Sequence, residues 1–331
     1  VGACPGPDCS TFTTSAGILK FSSVTTVTFT ATVNPFRTIS HIADGAGFRT
    51  TFILMNTGAT AAEFTLAFWK DTGEALMLDL GADGVTAALT STIPAHGARF
   101  IRTAGTSPNL NPGWAQLNAP PAVDGNSIFG LQNPGHGDSE AAVALSPGGG
   151  ADLFLPFDNT AGFATGVAFA NSDIHGTAAT ISGSFVDDTG APITDSDTVT
   201  VPQHGHYANV LGANVPGAPT FFPATAGKRG AAHFNAAENL FALGIRGNGK
   251  AFTSIEALSN VTKATKTIAH IASGGGWKTT FLLVNTGTET AQFTLDFFDD
   301  NGNALPLPLD SGATTAIFTA TIPAGGLKVV N

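Results

Sequence analysis

The feature that most constrains this chain is an internal repeat. Residues 37–97 and 266–326 align without a gap, and about 33 of the 61 aligned positions are identical. A fainter copy lies between them, where Ala161-Gly162-Phe163 matches Ala46-Gly47-Phe48 and Asp187-Asp188-Thr189-Gly190 matches Lys70-Asp71-Thr72-Gly73. The period of about 115 residues is a usual size for one β-sandwich domain. A fixed period of this kind indicates that one folding unit is used several times in tandem.

Within each copy the sequence is typical of short strands joined by tight turns. Phe64, Leu66 and Phe68 alternate with smaller residues, which is the period-two pattern of a strand with one buried face. Asp71-Thr72-Gly73 and Asn301-Gly302 are hairpin-turn sequences, because Gly and Asn accept a positive φ. We therefore predict an all-β fold of tandem immunoglobulin-like β-sandwich units.

The alignment also predicts the domain boundaries. An N-terminal tail (1–36) precedes the first repeat (37–151), the second repeat (152–265) and the third repeat (266–331). The second half of a repeat adds three apolar blocks, which lie at 113–117, 127–131 and 141–145 in the first repeat and at 230–234, 241–246 and 251–255 in the second. Residues 266–331 contain no such blocks, so we expect the third repeat to be an incomplete sandwich.

The N-terminal tail resembles the missing blocks. Its stretches 17–21 and 27–33 are similar to the last two strands of the second repeat. Their apolar side chains share one parity and form one face opposite a threonine face. The residues of this face are Leu19, Phe21, Val27, Phe29, Ala31 and Val33. We predict that they form donor strands that complete the third repeat of a neighbouring subunit by β-augmentation. The alternative is that 17–33 pack on the first repeat of the same chain.

Charge limits the possible partners. The chain has 14 Lys and Arg against 24 Asp and Glu, a net charge of −10. This balance argues against nucleic acid and anionic membrane surfaces, whose affinity comes mostly from basic groups. No apolar run reaches the roughly 20 residues that a membrane helix needs, so we expect no direct membrane insertion. The expected partner is the chain itself, in a head-to-tail homopolymer whose two contact surfaces differ and therefore form a fibre.

The cysteines indicate a compartment. Cys4 and Cys9 are the only two, in the sequence Cys-Pro-Gly-Pro-Asp-Cys, whose prolines and glycine turn the chain back on itself. We predict a short-loop disulfide, with two free thiols as the alternative. A disulfide implies an oxidising environment and hence an extracellular or cell-surface location.

Three blocks of the chain, at 270–280, 113–115 and 243–254, resemble a repeat common in large secreted bacterial surface proteins. The resemblance covers nearly all of the chain after residue 37. It implies a secreted β-sandwich array without catalytic residues, since that family has none to carry over. The first copy departs from the pattern at Asp44, Ala46 and Phe48. In its expected mode of assembly alone, the chain also resembles pilus subunits, which complete one another by strand donation.

Two groups of residues have side chains of the kind that catalytic centres use. Gly137-Asp138-Ser139 has the residues of a hydrolase nucleophile block but lies in a Gly/Pro loop rather than between a strand and a helix. His41 and His270 occupy equivalent repeat positions, which favours a packing or turn role over a catalytic one. We therefore predict that the protein is not an enzyme.

The sequence also contains two possible metal sites and one possible sugar-binding surface made of tryptophans. His204 and His206 have the spacing of two ligands on one strand face but no carboxylate within three residues. Residues 299–303 have calcium-loop chemistry without a closing glutamate, so a hairpin turn is favoured. Trp69, Trp114 and Trp277 have the chemistry of a sugar-stacking platform, but Trp114 and Trp277 are predicted to be core anchors. We therefore expect no metal and no cofactor.

These observations predict a structural subunit of an extracellular filament or surface appendage. A monomeric secreted adhesion or carbohydrate-binding module is the alternative.

Overall fold

The structure is a computed structural model that describes residues 11–14, 17–20, 36–132, 138–172, 176–212, 221–249, 251–259, 266–310 and 312–331. The chain divides into two compact units, 1–34 and 35–331. These residues form strands and turns, as predicted, with two single-turn 3₁₀ helices at Gly81–Asp83 and Pro223–Thr225. Within these ranges the chain has no helix of the length and apolarity that crossing a membrane requires.

The N-terminal unit contains one antiparallel hairpin, formed by β1 (Thr11–Thr14) and β2 (Gly17–Lys20). Thr11 pairs with Lys20 and Thr14 with Gly17. β2 lies within the first stretch predicted to be a donor strand.

The described residues of the first repeat form ten strands. They are β3 (Phe36–Asp44), β4 (Phe48–Asn56), β5 (Ala62–Lys70), β6 (Leu78–Asp79), β7 (Val85–Thr86), β8 (Ala88–Ile93), β9 (Ala98–Arg102), β10 (Asn111–Asn118), β11 (Val123–Leu131) and β12 (Ser139–Ala144). Eight of them form two four-stranded sheets, in the orders β3-β10-β5-β8 and β12-β11-β4-β9. Strands β10, β11 and β12 coincide with the three apolar blocks predicted for the second half of the repeat.

The two sheets enclose one apolar core, as in a β-sandwich. Phe64, Leu66 and Phe68 of β5 point into it and are buried, which confirms the predicted alternation. Phe52 on β4 and Phe129 on β11 enter the same core from the opposite sheet. Removing each such side chain from water stabilises the fold by about 1.5–3 kcal/mol.

The described residues of the second repeat form one connected eight-stranded sheet. Its strands are β13 (Gly150–Asp158), β14 (Phe163–Asn171), β15 (Ala179–Asp187), β16 (Pro192–Ile193), β17 (Thr198–Val201), β18 (His206–Val210), β19 (Arg229–Asn248) and β20 (Ala251–Glu256). The blocks 230–234 and 241–246 both lie in the 20-residue strand β19, where the first pairs with β13 and β15 and the second with β14 and β20. In the first repeat Pro120 and Pro121 separate the equivalent strands β10 and β11, since proline donates no backbone hydrogen bond. The second repeat has no proline at this point, and β19 runs on.

The third repeat contains six strands in three two-stranded pairs. They are β21 (Phe281–Val284), β22 (Ala291–Asp296), β23 (Leu307–Pro308), β24 (Thr314–Thr315), β25 (Ile317–Ile322) and β26 (Leu327–Val330). β21 pairs with β26, β22 with β25 and β23 with β24. Phe281, Phe297, Leu309 and Val330 form its small buried cluster.

One asparagine recurs with the same bonds in all three repeats. The side-chain amide of Asn56 donates to the carbonyls of Thr60, Ile93 and Pro94, at 2.8–3.1 Å. Asn171 and Asn285 make the equivalent three bonds, to carbonyls that include those of Pro202 and Pro323. The asparagine therefore holds the Pro-x-x-Gly turns at 94–97, 202–205 and 323–326 in place.

Candidate assembly groove and the joint between repeats

The third repeat has two strands with an open edge. In the first repeat β4 lies between β11 and β9, whereas its counterpart β21 pairs only with β26 among the described residues. Likewise β5 lies between β10 and β8, while its counterpart β22 pairs only with β25. The open sides are those that β10 and β11 occupy in the first repeat. An unpaired edge is a template for pairing with another strand.

The counterpart of β3 is also changed in the third repeat. Residues 266–272 align with the first part of β3 but form no strand. Ile39 is fully buried in β3, whereas its counterpart Ile268 is 56% exposed. The cause is pairing, since β3 joins its sheet through β10 and the described part of the third repeat supplies no equivalent of β10.

The surface bounded by β21, β22 and residues 266–280, here called the open groove, is apolar. Phe293 and Leu295 on β22 face inward but are only half buried, whereas their counterparts Phe64 and Leu66 are buried. A cavity of about 260 Å³ lies between residues 271–281 and 307–310, and its apolar lining includes Ile271, Trp277, Phe281, Leu307 and Leu309. Two open edges and unfilled side-chain pockets are what β-augmentation requires.

Trp277 corrects one prediction. It was expected to be a core anchor, and it is 74% exposed. Its counterpart in the first repeat, Phe48, packs against Phe252 of the second repeat, with ring centroids 6.4 Å apart. No such neighbour covers Trp277 among the described residues. Trp114, the other predicted anchor, is fully buried, as expected.

The predicted donor residues are placed only in part. Leu19 lies in β2, where it pairs with Phe12 of β1. Phe21, Val27, Phe29, Ala31 and Val33 lie outside the described residues, as do Cys4 and Cys9 of the predicted disulfide.

A chain of three polar side chains, two buried histidines and the exposed Asp71, joins the first and second repeats. His41 Nδ1 lies 3.1 Å from His206 Nε2, and His206 Nδ1 lies 2.7 Å from Asp71 Oδ1. Burial, together with the charge of His206, lowers the pKa of His41 to about 3. The edge of the Phe129 ring contacts the His41 ring, with centroids 5.1 Å apart. The arrangement is a hydrogen-bonded link between two repeats, with both histidine rings withdrawn from solvent.

His204 and His206, the two possible metal ligands, lie at different places in this joint. His204 is in the turn before β18, where its ring meets Trp69 edge-on at 4.5 Å and its carbonyl accepts a hydrogen bond from Trp114 Nε1 at 2.7 Å. His206 instead faces His41. The sequence did not predict this joint, although the turns at 70–73 and 202–205 each have a matching turn in another repeat.

The loop at 299–303 is a hairpin turn. The Asp299 carboxylate accepts hydrogen bonds from the backbone N–H groups of Asn301 and Asn303 and from the Asn303 side chain. The hydrogen bonds from Asn303, backbone first, hold the pKa of Asp299 below its usual range. Asp187 accepts the equivalent bonds from Thr189 and Ala191 in the second repeat. The carboxylate oxygens are therefore used by the turn itself.

Ser139 and His270, two candidate residues from the sequence, lie away from these contacts. Ser139 begins β12 and pairs with Leu131 in the sheet, while Gly137 lies outside the described residues. His270 is exposed, unlike its counterpart His41.

No protein-family model, curated protein or solved structure matches this chain.

Proposed function

We propose that the protein is a structural subunit of an extracellular filament or surface appendage, assembled head to tail. In this proposal the three repeats are tandem immunoglobulin-like sandwiches, and residues 17–33 of one subunit complete the third repeat of the next. The observation that carries it is the pair of open edges on β21 and β22, at the positions that β10 and β11 fill in the first repeat.

The chemistry of the tail fits the open groove. Its alternating face offers six apolar side chains, Leu19 to Val33, to half-buried Phe293 and Leu295. Each such side chain gains about 1.5–3 kcal/mol on full burial, and ordering of the tail offsets part of that gain. Added strands would also give residues 266–272 a partner, as β10 does for β3.

The test compares the chain 1–331 with a variant lacking residues 1–33, by negative-stain electron microscopy. We expect filaments from the first and only single particles from the second. Filaments of normal appearance from the shortened variant would refute strand donation.

A carbohydrate-binding module is the second candidate, because Trp277 presents an aromatic ring that is 74% exposed. Sugar rings stack on such faces. Isothermal titration with a panel of oligosaccharides would support this candidate if binding occurs and is lost in Trp277→Ala.

A further inference from the structure

The joint between the first and second repeats is a contact of one turn on another. Gly73, at φ +84°, lies so close to the second repeat that a Cβ there would sit 2.1 Å from the carbonyl oxygen of Gln203. The His206 N–H donates to the carbonyl of Asp71 at 3.2 Å. Trp69, which precedes this turn, covers His204. The hairpin turn at 70–73 is thus seated on the Pro-x-x-Gly turn at 202–205.

The second and third repeats meet through the counterparts of these turns. Gly190, the counterpart of Gly73, has φ +88°, and a Cβ there would lie 2.7 Å from Pro323 Cβ. Pro323 opens the turn 323–326, which aligns with 202–205. Both turns have a left-handed residue at the third position, His204 at φ +54° and Gly325 at φ +64°. The same turn-on-turn contact therefore occurs twice within one chain.

The third repeat carries a hairpin turn of this kind that is not seated on anything described. Gly302 has φ +81°, and no atom of the described residues lies within 4 Å of the position of a Cβ there. Phe298, the counterpart of Trp69, is 60% exposed. Asp300 and His270 repeat the residue types of Asp71 and His41. These are the residue types that face the next repeat in the first joint.

The first repeat carries a matching, uncovered receiving turn at 94–97. His96 has φ +55° and is exposed, whereas His204 at the same place has φ +54° and lies under Trp69. The three atoms nearest to a Cβ on Gly97 would all belong to Pro94 of its own turn, whereas a Cβ on Gly205 would lie 2.8 Å from the Asp71 carbonyl of the preceding repeat.

We infer that the turn 299–302 of one chain docks on the turn 94–97 of a second copy, as 70–73 docks on 202–205 within the chain. This inference rests on the proposed strand donation. Donated residues 17–33 are followed almost at once by β3 of their own first repeat, so the sandwich they complete directly precedes that repeat. The completed third repeat of one chain and the first repeat of the next chain are therefore neighbours in the same order as the first and second repeats within one chain. Phe298 of one chain covers His96 of the next.

The joint between chains differs from the inner one at one position. Ala98 stands where the second repeat has His206. Asp300 and His270 therefore gain no imidazole partner, and the contact depends on Phe298 and on the fit of the two turns.

The first test separates docking from strand donation. Binding of a peptide of residues 11–34 to the chain lacking 1–33, measured by fluorescence anisotropy, reports strand donation alone because the peptide has no turn 94–97. The critical concentration for assembly of the full chain reports both contacts. We expect Phe298→Glu to raise that concentration about tenfold or more, the equivalent of about 1.4 kcal/mol, and to leave peptide affinity unchanged. Val85→Glu, a site 64% exposed and outside both turns, is the control and should change neither.

The second test addresses the receiving turn. His96→Asp places a carboxylate against Asp299 and Asp300 and should raise the critical concentration, while His96→Asn should not, since Asn and Asp tolerate the positive φ equally well. Unchanged assembly in Phe298→Glu and His96→Asp would overturn the docking inference and leave strand donation standing. Loss of peptide binding in Phe298→Glu would also overturn it, because Phe298 would then belong to the open groove. A peptide that fails to bind the unmodified groove would overturn strand donation itself.

Discussion

His41 Nδ1 and His206 Nε2 lie 3.1 Å apart, so two imidazoles from different repeats share one buried hydrogen bond. The rings stack at 5.1 Å, and Asp71 holds the far nitrogen of His206. This contact joins the first and second repeats.

The first prediction concerns pH. The pKa of His41 is about 3 in the folded chain and near 6.5 when unfolded. Between these values the unfolded chain binds the additional proton, so the free energy of unfolding falls as the pH falls, by up to about 1.4 kcal/mol per pH unit. The stabilisation is complete above pH 6.5. Urea unfolding between pH 7.5 and 4 measures the slope. His41→Gln should have a shallower slope, and equal slopes would contradict the assignment.

The second prediction concerns the joint. Gly73→Ala and Gly81→Ala both place a side chain at positive φ, which costs about 1–2 kcal/mol. Only Gly73 also faces a backbone oxygen at 2.1 Å, while Gly81 has no described atom within 4 Å. We expect Gly73→Ala to lose about 1–3 kcal/mol more, the range for overpacking. Thermal unfolding of the two variants measures the difference, and equal losses would show that the joint is not closely fitted.

The third prediction concerns the recurring asparagine. Asn56→Ala removes the three bonds that the side-chain amide donates and the one that Asn56 Oδ1 accepts from the Gly58 N–H, so we expect a loss of about 1–3 kcal/mol in chemical denaturation. Asn109→Ala is the control, because Asn109 is exposed and bonds through its backbone. A loss as small as that of the control would show that the turn at 94–97 does not depend on Asn56.

The fourth prediction concerns the donor strands. Phe29→Asp should abolish or sharply weaken assembly, because the groove would have to desolvate the charge. Thr28→Asp places the same charge on the opposite face and should still assemble. Sedimentation of both variants tests this, and equal effects would contradict the proposed facing of the strand.

The fifth prediction concerns Cys4 and Cys9. We expect one disulfide, detected by mass spectrometry with and without reductant, and little change in thermal unfolding on reduction, because the bridge closes a very short loop. Two thiols that react without reductant would contradict it.

Much of the fold could be predicted from local sequence. The alternation from Phe64 to Phe68 requires a strand with one buried face, and Gly73 and Gly302 mark turns because they tolerate positive φ. The blocks around Trp114, Phe129 and Val143 fall in β10, β11 and β12. These features depend on backbone and side-chain preferences within a few residues, which the sequence carries directly.

The joint was harder to predict. His41, Asp71 and His206 are far apart in the chain, and only the packing of two repeats brings them together. The open groove was foreseen from the missing blocks, but the exposure of Trp277 was not, because covering a side chain depends on its neighbours.

Residues 37–44 and 266–273 show most clearly which features the local sequence determines and which depend on the tertiary structure. By itself the sequence determined an all-β chain, its repeat, and strand-forming residues such as Ile39 and Ile268 at equivalent places. Only the tertiary structure decided that the first of these stretches is a buried strand and the second an exposed segment. A strand is stable when a neighbouring strand takes its hydrogen bonds and an opposing sheet covers its apolar face. β10 pairs with β3, and Ile39 packs in the core that the two sheets share, whereas residues 266–272 have no described strand partner and Ile268 is exposed.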